Sequence, residues 1–136
     1  MRVVVDTNIL VSGLISPYGT PSEILRMIVS GGIELCVDSR IISEYEEVLA
    51  RPKFGFDKEE TGLLLDYIKH ASLIVTASPL KVRLSDPGDE PFAEVSVSGR
   101  ADCLITGNVK HFPSRALKNI KVLTAEKFLA YYRSLK

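Results

Sequence analysis

The stretch RVVVD at residues 2–6 decides the fold, because three consecutive valines are followed by an acid. A run of β-branched residues without polar alternation is typical of a strand that is buried on both faces of a parallel sheet. We therefore expect a central strand here, with Asp6 at its carboxyl end. A chain of 136 residues has the usual size of one domain, so residues 1–136 are expected to form a single domain.

Further strands and helices are predicted to alternate along the rest of the chain. The strands are predicted at 33–38, 72–77, 103–106 and 121–125, and the helices at 20–31, 39–50, 57–71, 92–99 and 125–135. The first of these helices is expected to be capped by Thr20, with Pro21 at its first position. The alternation predicts an α/β fold, a three-layer α/β/α domain with a mainly parallel sheet of about five strands.

Composition and charge exclude several classes of protein. Hydrophobic residues make up 46% of the chain and charged residues 25%, which is typical of a folded soluble domain. Lys and Arg total 17 and Asp and Glu total 17, so contact with a polyanion needs a local patch or a metal ion. Apolar runs are too short for a membrane span and no signal-peptide pattern is present, so we expect a cytoplasmic protein. Cys36 and Cys103 lie in strand-like segments and are expected to be reduced core residues.

Acidic side chains fall where they can share one edge of the sheet. Asp6 ends the first strand, Glu44 lies early in the helix after the second strand, and Asp86, Asp89 and Glu90 lie in the loop before the fourth. Ligands of such sheets bind beyond the carboxyl ends of the strands. Carboxylates gathered in a partly desolvated crevice repel one another unless a proton or cation neutralises them. Mg²⁺ or Mn²⁺ fits this requirement and suits phosphodiester cleavage.

Each acid also has a purely structural interpretation. Asp6 could cap a helix that starts near Asn8. On a helical wheel Glu44 and Glu46 both flank the apolar stripe, and the wheel does not choose between them. Asp89 and Glu90 could simply complement the dipole of the next helix.

Other polar residues near these positions are weighed in the same way. Asp86 could start the DPGD turn by accepting a backbone hydrogen bond. His70 is expected on the surface, whereas His111 follows the carboxyl end of a strand and is a weaker functional candidate. Arg51 and Lys53 could contact phosphates, although solvation of the helix end is the favoured interpretation.

Three segments together resemble the PIN-domain family, in particular the VapC-like toxin branch of bacterial and archaeal toxin–antitoxin systems. They are VVVDTNILVSGLISPYGTPSEIL at 3–25, IISEYEEVLARPKF at 41–54 and DPGDEPFAEVSVSGRADCLITGNVKHF at 86–112. The resemblance implies an α/β/α fold and an acidic pocket that binds Mg²⁺ or Mn²⁺ for endoribonuclease activity. It also implies RNA as substrate, a cognate antitoxin protein as a possible partner, and a homodimer.

By resemblance, the family's first acid falls on Asp6 and its second on Glu44. The third falls on Glu90, with Asp89 beside it as a substitute. The position of the fourth acid holds Asn108, so the fourth carboxylate is missing. The implied catalytic residues are Asp6, Glu44, Glu90 and Asn108, and the implied metal ligands are Asp6, Glu44, Asp89 and Glu90. Thr7, Asn8 and Thr106 are expected to position water or phosphate through hydroxyl and amide hydrogen bonds.

Other protein classes fit the sequence less well. A phosphoryl-accepting receiver domain needs an aspartate at the end of its third strand, and SLIVTA at 72–77 has none. A phosphatase of the haloacid-dehalogenase type needs an aspartate two residues after the first, where this chain has Asn8. The remaining alternative is an inactive PIN-like domain that only binds RNA or a protein partner.

Overall fold

The computed structural model describes residues 1–135, and Lys136 lies outside the described residues. Five parallel strands form one sheet in the order β3-β2-β1-β4-β5. The strands are β1 (Arg2–Val5), β2 (Glu34–Val37), β3 (Leu73–Ile74), β4 (Cys103–Ile105) and β5 (Lys121–Leu123). Val3 of β1 is in register with Leu35 of β2 and with Cys103 of β4, so β1 occupies the centre.

Seven α-helices are present among residues 1–135. They are α1 (Thr7–Ile15), α2 (Thr20–Val29), α3 (Ser39–Leu49), α4 (Lys58–Ala71), α5 (Glu90–Ser98), α6 (Ser114–Leu117) and α7 (Ala125–Ser134). Short 3₁₀ turns occur at Pro52–Phe54, Pro87–Asp89 and Val109–His111. α2 packs against both α1 and α7, whereas α5 packs against β1, β2, β4 and α6.

The core confirms that both faces of the sheet are covered. Val3, Val4 and Val5 each have no exposed surface, and successive side chains of a strand point to opposite faces. The three-layer α/β/α fold with a parallel sheet of five strands is therefore confirmed. Cys36 and Cys103 are buried and free, as expected.

Local differences from the sequence prediction have physical causes. β3 contains only two residues instead of the predicted 72–77, because it is an edge strand and Ile74 is largely exposed. The N-cap of α2 is Gly19 rather than Thr20, and no side chain caps this helix. Helix α1 (Thr7–Ile15) is not among the predicted helices, because it has no side-chain cap, no acid in its first turn and no basic residue in its last turn. Helix α6, which has only four residues, was not predicted.

The strand order fixes where a ligand site can form. From β1 the chain moves outward to β2 and β3, and then returns across the sheet to β4 and β5. The order therefore reverses between β1 and β4, and crevices outside the carboxyl ends of such strands are the usual ligand sites. Asp6 follows β1 and Thr106 follows β4 at this reversal. No helix among residues 1–135 is both long enough and apolar enough to span a membrane.

Candidate active site

A cavity of about 300 Å³ lies at this reversal point. It brings together six of the residues that the sequence singled out: Asp6, Thr7, Asn8, Glu44, Asp89 and Asn108. Asp86, His111, Arg51 and Lys53 also line it. Two other predicted site residues, Glu90 and Thr106, are not in the lining. The side chains that line the cavity thus come from α1 and α3, from the residues that follow β1 and β4, and from the long loop before α5.

Asp6 is buried, and its side chain does not cap α1 although the residue holds the N-cap position. Its Oδ2 instead accepts a hydrogen bond of 2.7 Å from Thr106 Oγ1. Burial raises the pKa of Asp6, the bond from Thr106 opposes this rise, and the charge of Asp89 adds to it. The carboxylate of Asp6 is therefore held across the β1–β4 boundary.

Glu44 is the glutamate of α3 that reaches the cavity. Its Oε2 accepts a short hydrogen bond from Thr7 Oγ1, which lies at the start of α1. Glu46 forms an ion pair with Lys69 and lies outside the cavity lining. The ambiguity of the helical wheel is thus resolved by a contact between α1 and α3.

Asp89 ends the 3₁₀ turn before α5 and faces the cavity. Its Oδ2 lies 3.1 Å from His111 Nδ1, within hydrogen-bond distance. The pKa of Asp89 is raised, first by burial and then by the charges of Asp86 and Glu44, while His111 lowers it. Asp6 and Asp89 are therefore electrostatically coupled through one cavity, and the imidazole of His111 lies within hydrogen-bond distance of Asp89.

Glu90 is directed elsewhere, although it is the residue next to Asp89. Its Oε2 accepts a hydrogen bond of 3.1 Å from the backbone N–H of Leu84, and its Oε1 lies 3.4 Å from Arg83 Nη1. These contacts fasten the long loop to the start of α5. Asp89 therefore lines the cavity and Glu90 does not, and which of the two is the third acid stays a prediction.

Thr106 is fully buried and links two residues of the site. Its Oγ1 donates to Asp6 and accepts a hydrogen bond of 3.0 Å from the backbone N–H of Asn108. Thr106 therefore orients the Asp6 carboxylate from beneath the cavity. It also fixes the turn that carries Asn108 to the cavity wall.

The cations and the remaining acid at the cavity have other contacts as well. Arg51 pairs with Glu47, and Lys53 lies over the ring of Phe54 at 5.1 Å from its centroid. Asp86 accepts a hydrogen bond from the backbone N–H of Gly88, as the turn interpretation expects. These side chains border the cavity, and Arg51 and Lys53 bring positive charge to it.

Two structural supports were not identified from the sequence. Tyr45 of α3 donates its hydroxyl to the carbonyl oxygen of Val5, the residue before Asp6. Its pKa is raised well above the ordinary value, mainly by burial and also by Asp6 and Glu44. Tyr45 therefore holds the end of β1 against α3.

The second support is a network of three charged side chains. Arg40 pairs with Asp38 and Glu94, each at 2.7 Å, and both acids are buried. Asp38 also caps α3 by accepting from the N–H of Ile41, a role that an acid directly before a helix can signal. The pairing with Glu94 joins residues 54 positions apart, so local sequence patterns do not reveal it.

The cavity offers oxygen donors of the kind that a divalent cation needs. Among residues 1–135, no three Asp, Glu, His or Cys side chains converge on a point that could hold a metal. The four ligands expected from the sequence thus do not form a closed shell. Mg²⁺, however, usually keeps several waters and takes only one or two protein carboxylates. The oxygen donors Asp6, Glu44 and Asp89, two of which have raised pKa values, fit a hydrated divalent cation in charge and in chemistry.

A parallel sheet with the order 3-2-1-4-5 and an acidic cavity at its reversal point define an α/β domain with a candidate cation site. The PIN domain family model matches residues 2–110, and the chain belongs to the PIN-domain family. The sequence resemblance to this family is thus confirmed. PIN domains are generally nucleases, and PIN nucleases generally use divalent metals.

A solved structure with the same fold gives a second comparison. It is described as VapBC2 from Rickettsia felis bound to a DNA fragment from their promoter, and it matches with a TM-score of 0.56. The identity is 17%, with 90% of this chain and 97% of that chain covered. This likeness shows a shared fold. No curated protein sequence matches the chain.

Proposed function

We propose that this PIN domain is an endoribonuclease that depends on Mg²⁺ or Mn²⁺. The observation that carries the proposal is the cavity lined by Asp6, Glu44 and Asp89, in which burial, together with a smaller contribution from neighbouring carboxylates, raises the pKa of Asp6 and Asp89. Such an excess of negative charge calls for a divalent cation. When bound, the cation lowers the pKa of water and stabilises charge on a phosphodiester.

The residues of the chain have distinct parts in this proposal. Asp6, Glu44 and Asp89 hold the cation, directly or through water. Thr106 and Thr7 orient the first two of these carboxylates by donating hydroxyl hydrogen bonds.

The amides and the cations at the cavity wall act on the substrate. Asn8 and Asn108 present side-chain amides that can bind a phosphate oxygen or a water. Arg51 and Lys53 offset the repulsion between the acidic cavity and an incoming RNA backbone.

We further propose that the chain is the toxin of a toxin–antitoxin pair. Support comes from its membership of the PIN family and from its structural likeness to VapBC2. A cognate antitoxin protein, a homodimeric state and a cytoplasmic location belong to this proposal, as does a single domain over residues 1–136. The alternative is an inactive module that binds RNA or protein, which the absence of a fourth carboxylate at Asn108 favours.

An RNA cleavage assay distinguishes the proposed nuclease from the inactive binding module. The purified chain, in excess over a single-stranded RNA, is expected to cleave the RNA in Mn²⁺. Cleavage is expected to stop in EDTA and to become slower as the salt concentration increases. Intact RNA across a full Mn²⁺ series would favour the binding module.

Asn108→Asp tests the missing fourth acid. The added carboxylate is expected to tighten Mn²⁺ binding about tenfold, which corresponds to about 1.4 kcal/mol. Without metal it adds a like charge beside Asp6 and Asp89, so the Tm in EDTA is expected to fall. The difference between the Tm in Mn²⁺ and in EDTA should therefore widen. Asn119→Asp, which adds the same charge outside the cavity, is the control, and an equal difference in both variants would put Asn108 beyond the reach of the ion.

A further inference from the structure

Two adjoining cavities on the α5 and α6 side of the protein are lined by basic side chains. Lys81, Arg115 and Lys118 line the first cavity. Arg100 and Lys118 line the second, and the two cavities share Lys118 and Val97. Within residues 1–135, no Asp or Glu lines either of them. We refer to the surface formed by Lys81, Arg100, Arg115 and Lys118 as the basic groove.

The arginines of the basic groove lack the partners that the other arginines have. In the described part of the chain, Arg100 and Arg115 are the arginines whose guanidinium groups make no hydrogen bond or ion pair. The others each donate to a side chain or a backbone oxygen: Arg2, Arg26, Arg40, Arg51, Arg83 and Arg133. Positive charge is thus left unneutralised at this surface, although the whole chain has a formal net charge of zero.

Backbone conformation gives a second, independent observation. Arg100 and Lys118 have φ values of 52° and 54°, and across residues 1–135 no other non-glycine residue has a positive φ. A side chain in this region is strained by its Cβ, whereas glycine adopts it freely. Both residues follow the end of a helix, where glycine is the common choice. Strained positions of this kind often serve function rather than stability, and here each carries a cation.

The loop before α5 connects the basic groove to the active-site edge. It runs alongside α5 because the backbone N–H groups of Ser78, Leu80 and Leu84 donate in turn to Ser98, Glu94 and Glu90. Lys81 and the highly exposed Arg83 lie between the last two of these anchors. Helix α5 has nine residues and spans about 12 Å, a distance that about four stacked nucleotides cover.

We propose that the basic groove is a second binding site for single-stranded RNA, which holds the phosphate backbone of the strand that enters the acidic cavity. The proposal rests on the proposed nuclease function. Guanidinium groups bind phosphate through paired hydrogen bonds, and the groove offers Arg100 and Arg115 together with two lysines. The acidic cavity repels RNA, and the groove adds to the attraction that Arg51 and Lys53 provide at the cavity.

Binding of RNA without metal tests the basic groove apart from catalysis. Fluorescence anisotropy in EDTA measures the affinity of a labelled single-stranded RNA over a salt series. The test variant is Arg100→Gly with Lys118→Gly, and the control is Lys58→Gln with Lys127→Gln, which removes the same charge from lysines that line neither cavity. The groove variant is expected to bind about tenfold more weakly at low salt. The plot of the logarithm of the association constant against the logarithm of the salt concentration should become less steep by about 1.4, or about 0.7 for each lost phosphate contact.

The Tm distinguishes loss of binding from loss of folding. Glycine relieves the strain at both positions, so the Tm of the groove variant is expected to equal or exceed that of the wild type. Arg115→Gln leaves the backbone unchanged and is expected to weaken binding in the same direction. Wild-type affinity in the groove variant would overturn the proposal, and so would equal weakening in the control. Competition by poly-glutamate as effective as that by unlabelled RNA would also overturn it, in favour of an acidic protein partner.

The two proposals fail in different ways. Groove-dependent binding of RNA that Mn²⁺ never converts to cleavage would support the basic groove and contradict the nuclease. Cleavage by a groove variant that binds RNA as tightly as the wild type would support the nuclease and contradict the groove.

Discussion

Asp6→Asn is expected to weaken Mn²⁺ binding on the order of a hundredfold, or about 2.7 kcal/mol, while leaving the fold intact. The substitution removes the most buried carboxylate of the cavity, and the asparagine oxygen can still accept the hydrogen bond from Thr106. Calorimetric titration with Mn²⁺ measures the loss. Asp66→Asn, which removes an acid from the exposed side of α4, is the matched control and should bind Mn²⁺ as the wild type does.

The same variant is expected to be more stable than the wild type in EDTA, with a Tm higher by a few degrees at neutral pH. Burial raises the pKa of Asp6 above its ordinary value of 3.8, and Asp89 contributes to the rise. Because the folded pKa is the higher one, ionised Asp6 lowers the stability of the fold as pH rises from 3.8 through the folded pKa.

The advantage of Asp6→Asn should therefore be absent below pH 3.8 and complete above the folded pKa. Thermal melts of both proteins in EDTA across this range give the difference directly. An unchanged Mn²⁺ affinity in the folded variant would refute the assignment of Asp6 to the metal site. A Tm difference that does not change with pH would refute the electrostatic explanation of its stability.

Asp89→Asn and Glu90→Gln form a pair that decides the third carboxylate. Asp89 lines the cavity, whereas Glu90 accepts from Leu84 and pairs with Arg83. Asp89→Asn is expected to weaken Mn²⁺ binding by about tenfold to a hundredfold. Glu90→Gln should leave it unchanged, since glutamine can still accept the hydrogen bond from Leu84. RNA cleavage should follow the same order, and the opposite order in either assay would restore Glu90 as the ligand.

The fold could be predicted because its signals are local. The three valines of β1 have no polar alternation, and helix signals follow each strand at short distance. Hydrophobic periodicity alone thus determines the layers and the parallel sheet. The exceptions lie where local signals are weak, as in the uncapped helix α1, the edge strand β3 and the short helix α6.

Residue patterns alone left the site as a set of alternatives, because its selection depends on contacts between distant residues, and only the family resemblance named Glu44 and Glu90. Glu44 and Glu46 flank the same stripe of α3, and it is Thr7 of α1 that binds Glu44. Asp89 and Glu90 are neighbours in the sequence, yet the 3₁₀ turn at Pro87–Asp89 directs only Asp89 to the cavity. No single-sequence pattern contains these pairings.

The most direct test of the central claim is an anomalous difference map from crystals of the wild-type protein grown with Mn²⁺. The account predicts one peak inside the cavity, bound by Asp6 and Asp89 directly or through water, that disappears in Asp6→Asn crystals. A cavity without a peak at Mn²⁺ concentrations that support RNA cleavage, or a peak bound by residues outside the cavity, would contradict it.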